Sequence, residues 1–187
     1  MDQISSPMDE RTVRGLRLGE TVFLSGEIVT ARDAAHVRAL SAADGPKELN
    51  GATLFHCGPI MTIEKEGRKV IAAGPTTSAR MNGTAADMIR RYGIRAVIGK
   101  GGMSSTVLDA MRETGCVYLA AVGGTAVSLA ERIINVNGVL WPDLGPAEAA
   151  WILEAENFGP LTVAMDAAGN SMYDNVKRTV DRTRPYS

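Results

Sequence analysis

Apolar and polar positions alternate along the chain in a way that predicts strands and helices in turn. Thr21–Thr30 (TVFLSGEIVT) is apolar and β-branched with one glycine, which predicts an interrupted strand. Thr30–Ser41 predicts a helix, because Thr30 and Asp33 have capping-box spacing ahead of the run AAHVRAL. Thr53–Cys57 reads as a short strand. Ile60–Ile63 and Lys69–Ala73 flank the charged stretch Glu64-Lys65-Glu66-Gly67-Arg68, which predicts a hairpin. Ala85–Tyr92 and Ser104–Thr114 predict helices closed by Gly93 and Gly115. Ala96–Ile98 and Val117–Val122 have the look of buried strands. The remainder predicts a helix over Val127–Ile134 and a strand over Val136–Trp141. A helix over Pro146–Phe158 with Pro in its first turn, a strand over Leu161–Met165 and a helix over Tyr173–Arg182 follow.

Repeated strand–helix units in the second half imply a parallel sheet covered by helices. The first half has more strand and a hairpin. The expected class is therefore α/β, a mixed sheet with parallel strand–helix units and an additional antiparallel layer. No repeat, low-complexity tract or linker interrupts the pattern. Residues 1–187 read as a single domain with loose ends near 1–10 and 184–187.

Composition narrows the function. The chain has 187 residues, 45% of them hydrophobic, enough for a sizeable core. Its formal net charge of −1 gives no general pull toward nucleic acid or an anionic membrane, so any anion must be recognised by a few placed cations. The polar start has no apolar segment of signal-peptide type, and no apolar run is long enough to span a bilayer, so a cytoplasmic protein is expected. Two cysteines, Cys57 and Cys116, provide no disulfide framework, no C-x-x-C pair and too few thiolates for an iron–sulfur cluster. Aromatic residues are only 5% of the chain, which disfavours stacking platforms for bases.

Three motifs share a layout in which a strand ends, small residues follow, and a cation stands near a helix start. Ligands of open α/β sheets bind outside the carboxyl ends of strands, where helix amino-termini offer N–H groups to anions. The first motif is Thr30-Ala31-Arg32-Asp33-Ala34-Ala35-His36. Arg32 in a first helical turn opposes the macrodipole, a conflict that a bound anion relieves. His36, four residues on, shares its face. The plainer alternative is Arg32 paired with Asp33 or another acid, and His36 as a half-buried polar residue.

The second motif, Gly74-Pro75-Thr76-Thr77-Ser78-Ala79-Arg80-Met81, sets three hydroxyls ahead of an arginine whose planar fork suits a carboxylate. A turn with a helix cap is the alternative. The third is Gly99-Lys100-Gly101-Gly102-Met103, where glycines let backbone N–H groups approach a ligand beside a point charge. A solvated loop lysine is its alternative. Together the motifs describe a small site for a compact dianion such as a dicarboxylate.

Several patterns are missing. The lysine loop is neither a Walker A motif nor a dinucleotide fingerprint. No G-x-S-x-G elbow accompanies His36 and His56, although a Ser–His–Asp set stays open. His56 and Cys57 are strand neighbours that point to opposite faces, which disfavours zinc. Asp166–Asn170 (DAAGN) reads as a turn or as part of the same sheet edge.

The ordered series LSGEIVTARDAAH, HCGP, GPTTSARM and GKGGM resembles the carboxy-terminal domain of class I fumarases and the β subunits of tartrate dehydratase and two-subunit fumarases. The resemblance spans roughly Gly15 to Asp181. It implies a swivelling β/β/α domain and a hydro-lyase that reversibly dehydrates a 2-hydroxydicarboxylate, malate to fumarate first and tartrate to oxaloacetate next. It implies Arg32, Arg80 and Lys100 as carboxylate binders, with Thr77 and Gly101 beside them. Thr76 would be the hydroxyl at the proton transfer, with His36 a further catalytic candidate. It also implies a [4Fe-4S] cluster carried by a cysteine-bearing α subunit and not by this chain, within a homodimer or heterotetramer. A stand-alone dicarboxylate-binding or regulatory domain is the competing expectation.

Overall fold

The computed structural model describes residues 2–64 and 67–183. β1 (Asp2–Ser6) and α1 (Glu10–Gly15) precede β2 (Thr21–Thr30) and α2 (Asp33–Ser41). β3 (Thr53–Phe55) is followed by β4 (Ile60–Glu64) and β5 (Gly67–Ala72), then by α3 (Ala85–Tyr92), β6 (Ala96–Gly99) and α4 (Ser105–Thr114). β7 (Val117–Ala121), α5 (Ala126–Ala130), β8 (Ile133–Leu140), β9 (Ala150–Met165) and α6 (Met172–Thr183) complete the chain.

The expected mixed sheet is present. Its strand order is β1-β2-β3-β6-β7-β9-β8, and β9 also pairs with β2, so β2, β3, β6, β7 and β9 close into a barrel-like ring. β1, β2, β3, β6 and β7 run parallel, whereas β9 runs antiparallel to β2, β7 and β8. Closure of this kind removes free edges. β4 and β5 form the expected antiparallel hairpin apart from the main sheet, resting on α5 and β8. Lys65 and Glu66, in its predicted turn, lie outside the described residues, as do residues 184–187.

Side-chain alternation along the strands divides the core in two. Leu24, Ile28, Phe55, Ile98, Leu119, Phe158 and Val163 fill the ring, where Phe55 and Phe158 meet edge to face with centroids 5.3 Å apart. Val29, Leu54, Val97, Tyr118 and Ala164 face outward beneath α2, α3 and α4. α3 shows why: Ala85, Met88, Ile89 and Tyr92 fall on one face and are buried, and Gly93 closes the helix in the left-handed region that glycine tolerates.

The structure departs from the sequence reading in four places. Residues 2–6, expected to be loose, pair in parallel with β2. Thr30 does not cap α2. Its hydroxyl accepts from the Trp151 N–H at 2.9 Å, and Arg32 occupies the N-cap with extended backbone and no side-chain cap. Of the helix predicted over Val127–Ile134, only the beginning forms, in α5, and Ile133 and Ile134 already belong to β8. The predicted helix over Pro146–Phe158 is absent. From Ala150 onward it is the first part of the 16-residue strand β9, because pairing with β2 and β8 on either side outweighs local helix preference.

Candidate active site

β2, β3 and β6 are neighbours and parallel, so the loops leaving their carboxyl ends meet. β2 delivers Arg32, β3 delivers His56 and Cys57, and β6 delivers Lys100 and Gly101. Past the ends of β3 and β6 the segment Pro75–Ser78 threads between them. The Thr76 N–H donates to the His56 carbonyl at 2.7 Å, the Lys100 N–H to the Thr76 carbonyl at 3.3 Å, and the Ser78 N–H to the Lys100 carbonyl at 3.0 Å. Thr76 is half-buried, while Thr77, Arg80, Lys100 and Gly101 are exposed at the rim.

A carboxylate from the far end of the chain organises the Arg32 side. Glu148 accepts the Ala34 N–H at 3.0 Å, doing from outside what the absent capping box would have done, and its other oxygen lies 3.2 Å from Arg32 Nη2. Asp33 stands 2.8 Å from Arg80 Nη2 and 4.0 Å from Arg32 Nη2. The plainer expectation for Arg32, pairing with an acid, is thus met. Arg32 Nε is nevertheless buried without a partner among the described residues. Gly58 leaves room for this guanidinium, since a Cβ there would come within 2.5 Å of Nη1. Beside Gly58 an apolar groove of about 540 Å³ runs between Pro59, Ile60, Met61 and Trp151.

His36 does not share a face with Arg32. Arg32 lies outside the helix with extended backbone, and His36 points inward, fully buried. It faces His56, also fully buried, with ring centroids 5.2 Å apart. Burial lowers the His36 pKa from 6.5 to about 4, against an opposing pull from Asp33. Burial lowers His56 well below the ordinary value, with repulsion from His36 second. Both rings are therefore neutral at pH 7. His36 Nδ1 is 3.1 Å from Thr84 Oγ1, and His56 Nδ1 is 2.8 Å from Ser78 Oγ, which also accepts from the Tyr118 hydroxyl at 2.9 Å.

Glycines make this packing possible. A Cβ on Gly99 would lie 2.0 Å from Ser78 Oγ, and one on Gly102, whose φ is +73°, would lie 2.5 Å from the Tyr173 ring of α6. Asn82 accepts the Ser104 N–H at 3.0 Å and so ties the α4 start to the loop carrying Arg80. Asp166 forms the turn alternative, accepting from the backbone of Ala168 and Asn170.

The chain's thiols do not suit an iron–sulfur cluster. Burial pushes Cys57 up to about 12 and Cys116 higher still, which keeps both protonated. Among the described residues no group of three His, Cys, Asp or Glu could hold a metal ion. Among the described residues no Ser–His–Asp set forms around His56 either, because it meets Ser78 on one side and His36 on the other. Among the described residues no helix is long and apolar enough to cross a membrane.

The predicted residues Arg32, Thr76, Thr77, Arg80, Lys100 and Gly101 thus gather at one set of strand ends, with His36 behind them. Sequence reasoning missed Glu148, Tyr118 and the part played by His56 and Ser78. A hydroxyl inside the apolar run Val117–Val122 was the one signal available for Tyr118. Glu148 gave none, since it sat in a segment read as a helix.

Known proteins share this arrangement of sequence. Residues 2–176 match the family model described as fumarase C-terminus. The chain is 41% identical over 185 residues to a Methanocaldococcus jannaschii protein provisionally named L(+)-tartrate dehydratase subunit beta, covering 96% of this chain and 95% of that one. It is 31% identical over 184 residues to L(+)-tartrate dehydratase subunit beta of Escherichia coli K12, covering 97% and 92%. A Geobacillus stearothermophilus protein provisionally named class I fumarate hydratase is 41% identical over 177 residues, covering 94% of this chain but 34% of that longer one.

Proposed function

Because this chain belongs to the fumarase C-terminus family, we propose that it is the β subunit of a two-subunit hydro-lyase that reversibly removes water from a 2-hydroxydicarboxylate. The observation that carries this reading is the meeting of Arg32, the hydroxyl segment and Lys100 at the ends of three adjacent parallel strands. Malate to fumarate is the first reaction to test, and tartrate to oxaloacetate the second.

Each residue has a task that its surroundings support. Arg32, braced by Glu148 and with Nε unpartnered, offers a fixed planar fork to one carboxylate. Arg80 and Lys100, exposed at the rim, meet the other carboxylate and stabilise the charge that builds up as the C3–H bond breaks. Thr77 and the left-handed Gly101 shape the loop between those cations. The Thr76 hydroxyl takes or relays the C3 proton, and the C2 hydroxyl leaves as water. A free threonine is a weak base, so Thr76 works only with activation by groups around the bound substrate. His36, buried and neutral, acts from behind the site without touching substrate.

The [4Fe-4S] cluster belongs, in this reading, to a cysteine-bearing α subunit, which completes the site from the exposed side. The test is an anaerobic assay of the purified chain, alone and with that subunit, on malate, fumarate and tartrate. Activity only in the mixture supports the proposal and names the substrate. Activity from the chain alone would remove the need for a partner. Activity in neither would favour a stand-alone dicarboxylate-binding domain.

A further inference from the structure

Every buried side-chain nitrogen without a partner among the described residues belongs to Arg32, His36 or His56. For the two histidines the hydrogen bonds on the opposite nitrogens fix what the unpartnered atoms are. With the Tyr118 hydroxyl as donor to the buried Ser78 Oγ, the acceptor left for the Ser78 proton is His56 Nδ1. His56 therefore carries its proton on Nε2. The Thr84 hydroxyl donates to the Met81 carbonyl at 3.3 Å, so it accepts from His36 Nδ1–H, and His36 Nε2 is a bare lone pair. The two rings, in contact at a 59° tilt, thus differ in which nitrogen carries the proton.

We propose that His36 and His56 are a pair of positioning residues with fixed tautomers, whose ring contact ties the helix start bearing Arg32 to the hydroxyl segment bearing Thr76. The path is short on both sides. The His36 N–H donates to the Arg32 carbonyl at 2.9 Å, and the His56 carbonyl accepts from the Thr76 N–H at 2.7 Å. Ser78 couples the same pair to the lysine loop, because its N–H donates to the Lys100 carbonyl. Gly99 is part of the device, since any side chain there would drive Ser78 Oγ away from both His56 and Tyr118. The inference about catalysis rests on the hydro-lyase reading, whereas the inference about tautomers does not. Two fixed, uncharged rings hold the two halves of the site in register without adding charge beside the cations, and a misplacement of even about 1 Å at a reacting group is costly in rate.

Two measurements test this. The first is ¹⁵N NMR of the full-length chain labelled at its histidines, at neutral pH. The expected spectrum shows His56 protonated on Nε2 and His36 on Nδ1, with Ser78→Ala removing the preference at His56 while His36 keeps its own. The opposite tautomer at either ring, or a positively charged ring, would overturn the pair. The second is the kinetics of Tyr118→Phe and Ser78→Ala in the reconstituted complex, where kcat should fall about tenfold with KM little changed. Unchanged kcat in both variants would overturn the positioning role. A wild-type complex inactive on every dicarboxylate would overturn the hydro-lyase reading and leave the NMR result to decide the pair.

Discussion

The floor and the rim of the site differ in almost every physical respect, although one short segment contributes to both. On the floor His36, His56, Ser78 and Tyr118 are sealed from solvent, uncharged and bonded to other residues of this chain. On the rim Thr77, Arg80 and Lys100 are exposed. The floor is already packed as folded, so under the proposed function it needs little further ordering when a ligand arrives. The rim still has to be desolvated and ordered, and its charges gain strength only when water is excluded. Under the proposed function the division would give geometry to the floor and electrostatics to the rim, with Thr76 at the boundary.

The sharpest way to break that division is at the boundary. Thr76→Val in the reconstituted complex should lower kcat by about 100-fold or more. Stability should change by no more than about 0.5 kcal/mol. Activity near wild type would take the proton transfer away from Thr76.

The floor alone should show in stability against pH. The folded-state pKa of His36, about 4, lies below its ordinary 6.5, so between those values the unfolded chain binds a proton that the folded chain refuses. Stability is full above pH 6.5 and is lost as pH falls toward 4, by about 3 kcal/mol from His36. His56 is shifted the same way and adds to the loss. Denaturant titrations between pH 4 and 7 would reveal this, and a flat profile would mean that the pair titrates like exposed histidine.

Arg32 links the two regions and should disturb both. Arg32→Ala is expected to lower kcat/KM by about 10- to 100-fold and to destabilise the fold by about 1–2 kcal/mol, because Glu148 loses its cationic partner and keeps only the Ala34 N–H. Steady-state kinetics and a thermal melt of the same sample separate the two effects. Arg80→Ala, at the rim, is expected to lower kcat/KM about tenfold. Because its bond to Asp33 is exposed, stability should change by less than about 1 kcal/mol. A large loss of stability would show that the rim is also structural.

What was legible in the sequence follows the same line. β2 and α3 were readable to the residue, because a β-branched run and a helical face with a closing glycine are local signals. The rim was readable too, since its cations stand beside glycines and hydroxyls in the same short segments. The floor was not. His56, Ser78 and Tyr118 come from three separate segments, and their bonding depends on strand neighbours that only the sheet order supplies. β9 was hidden for a further reason. Ala149, Ala150, Leu153, Glu154, Ala155 and Glu156 are all good helix formers, and the alternation of buried and open positions is imposed by β2 and β8, both distant in the chain.

That late strand sets the order in which the molecule can be made. β9 is the only described strand that bridges β2 to β7, and Thr30, two residues before Arg32, is held by the backbone of Trp151. Such long-range pairing is slow to form, and a chain emerging from the ribosome supplies its last partners last. Arg32 leaves the ribosome early but acquires neither Glu148 nor its supporting strand until more than a hundred further residues have followed. The nascent chain therefore spends most of its synthesis without these contacts, and Arg32 reaches its final surroundings only when the barrel is almost ready to close.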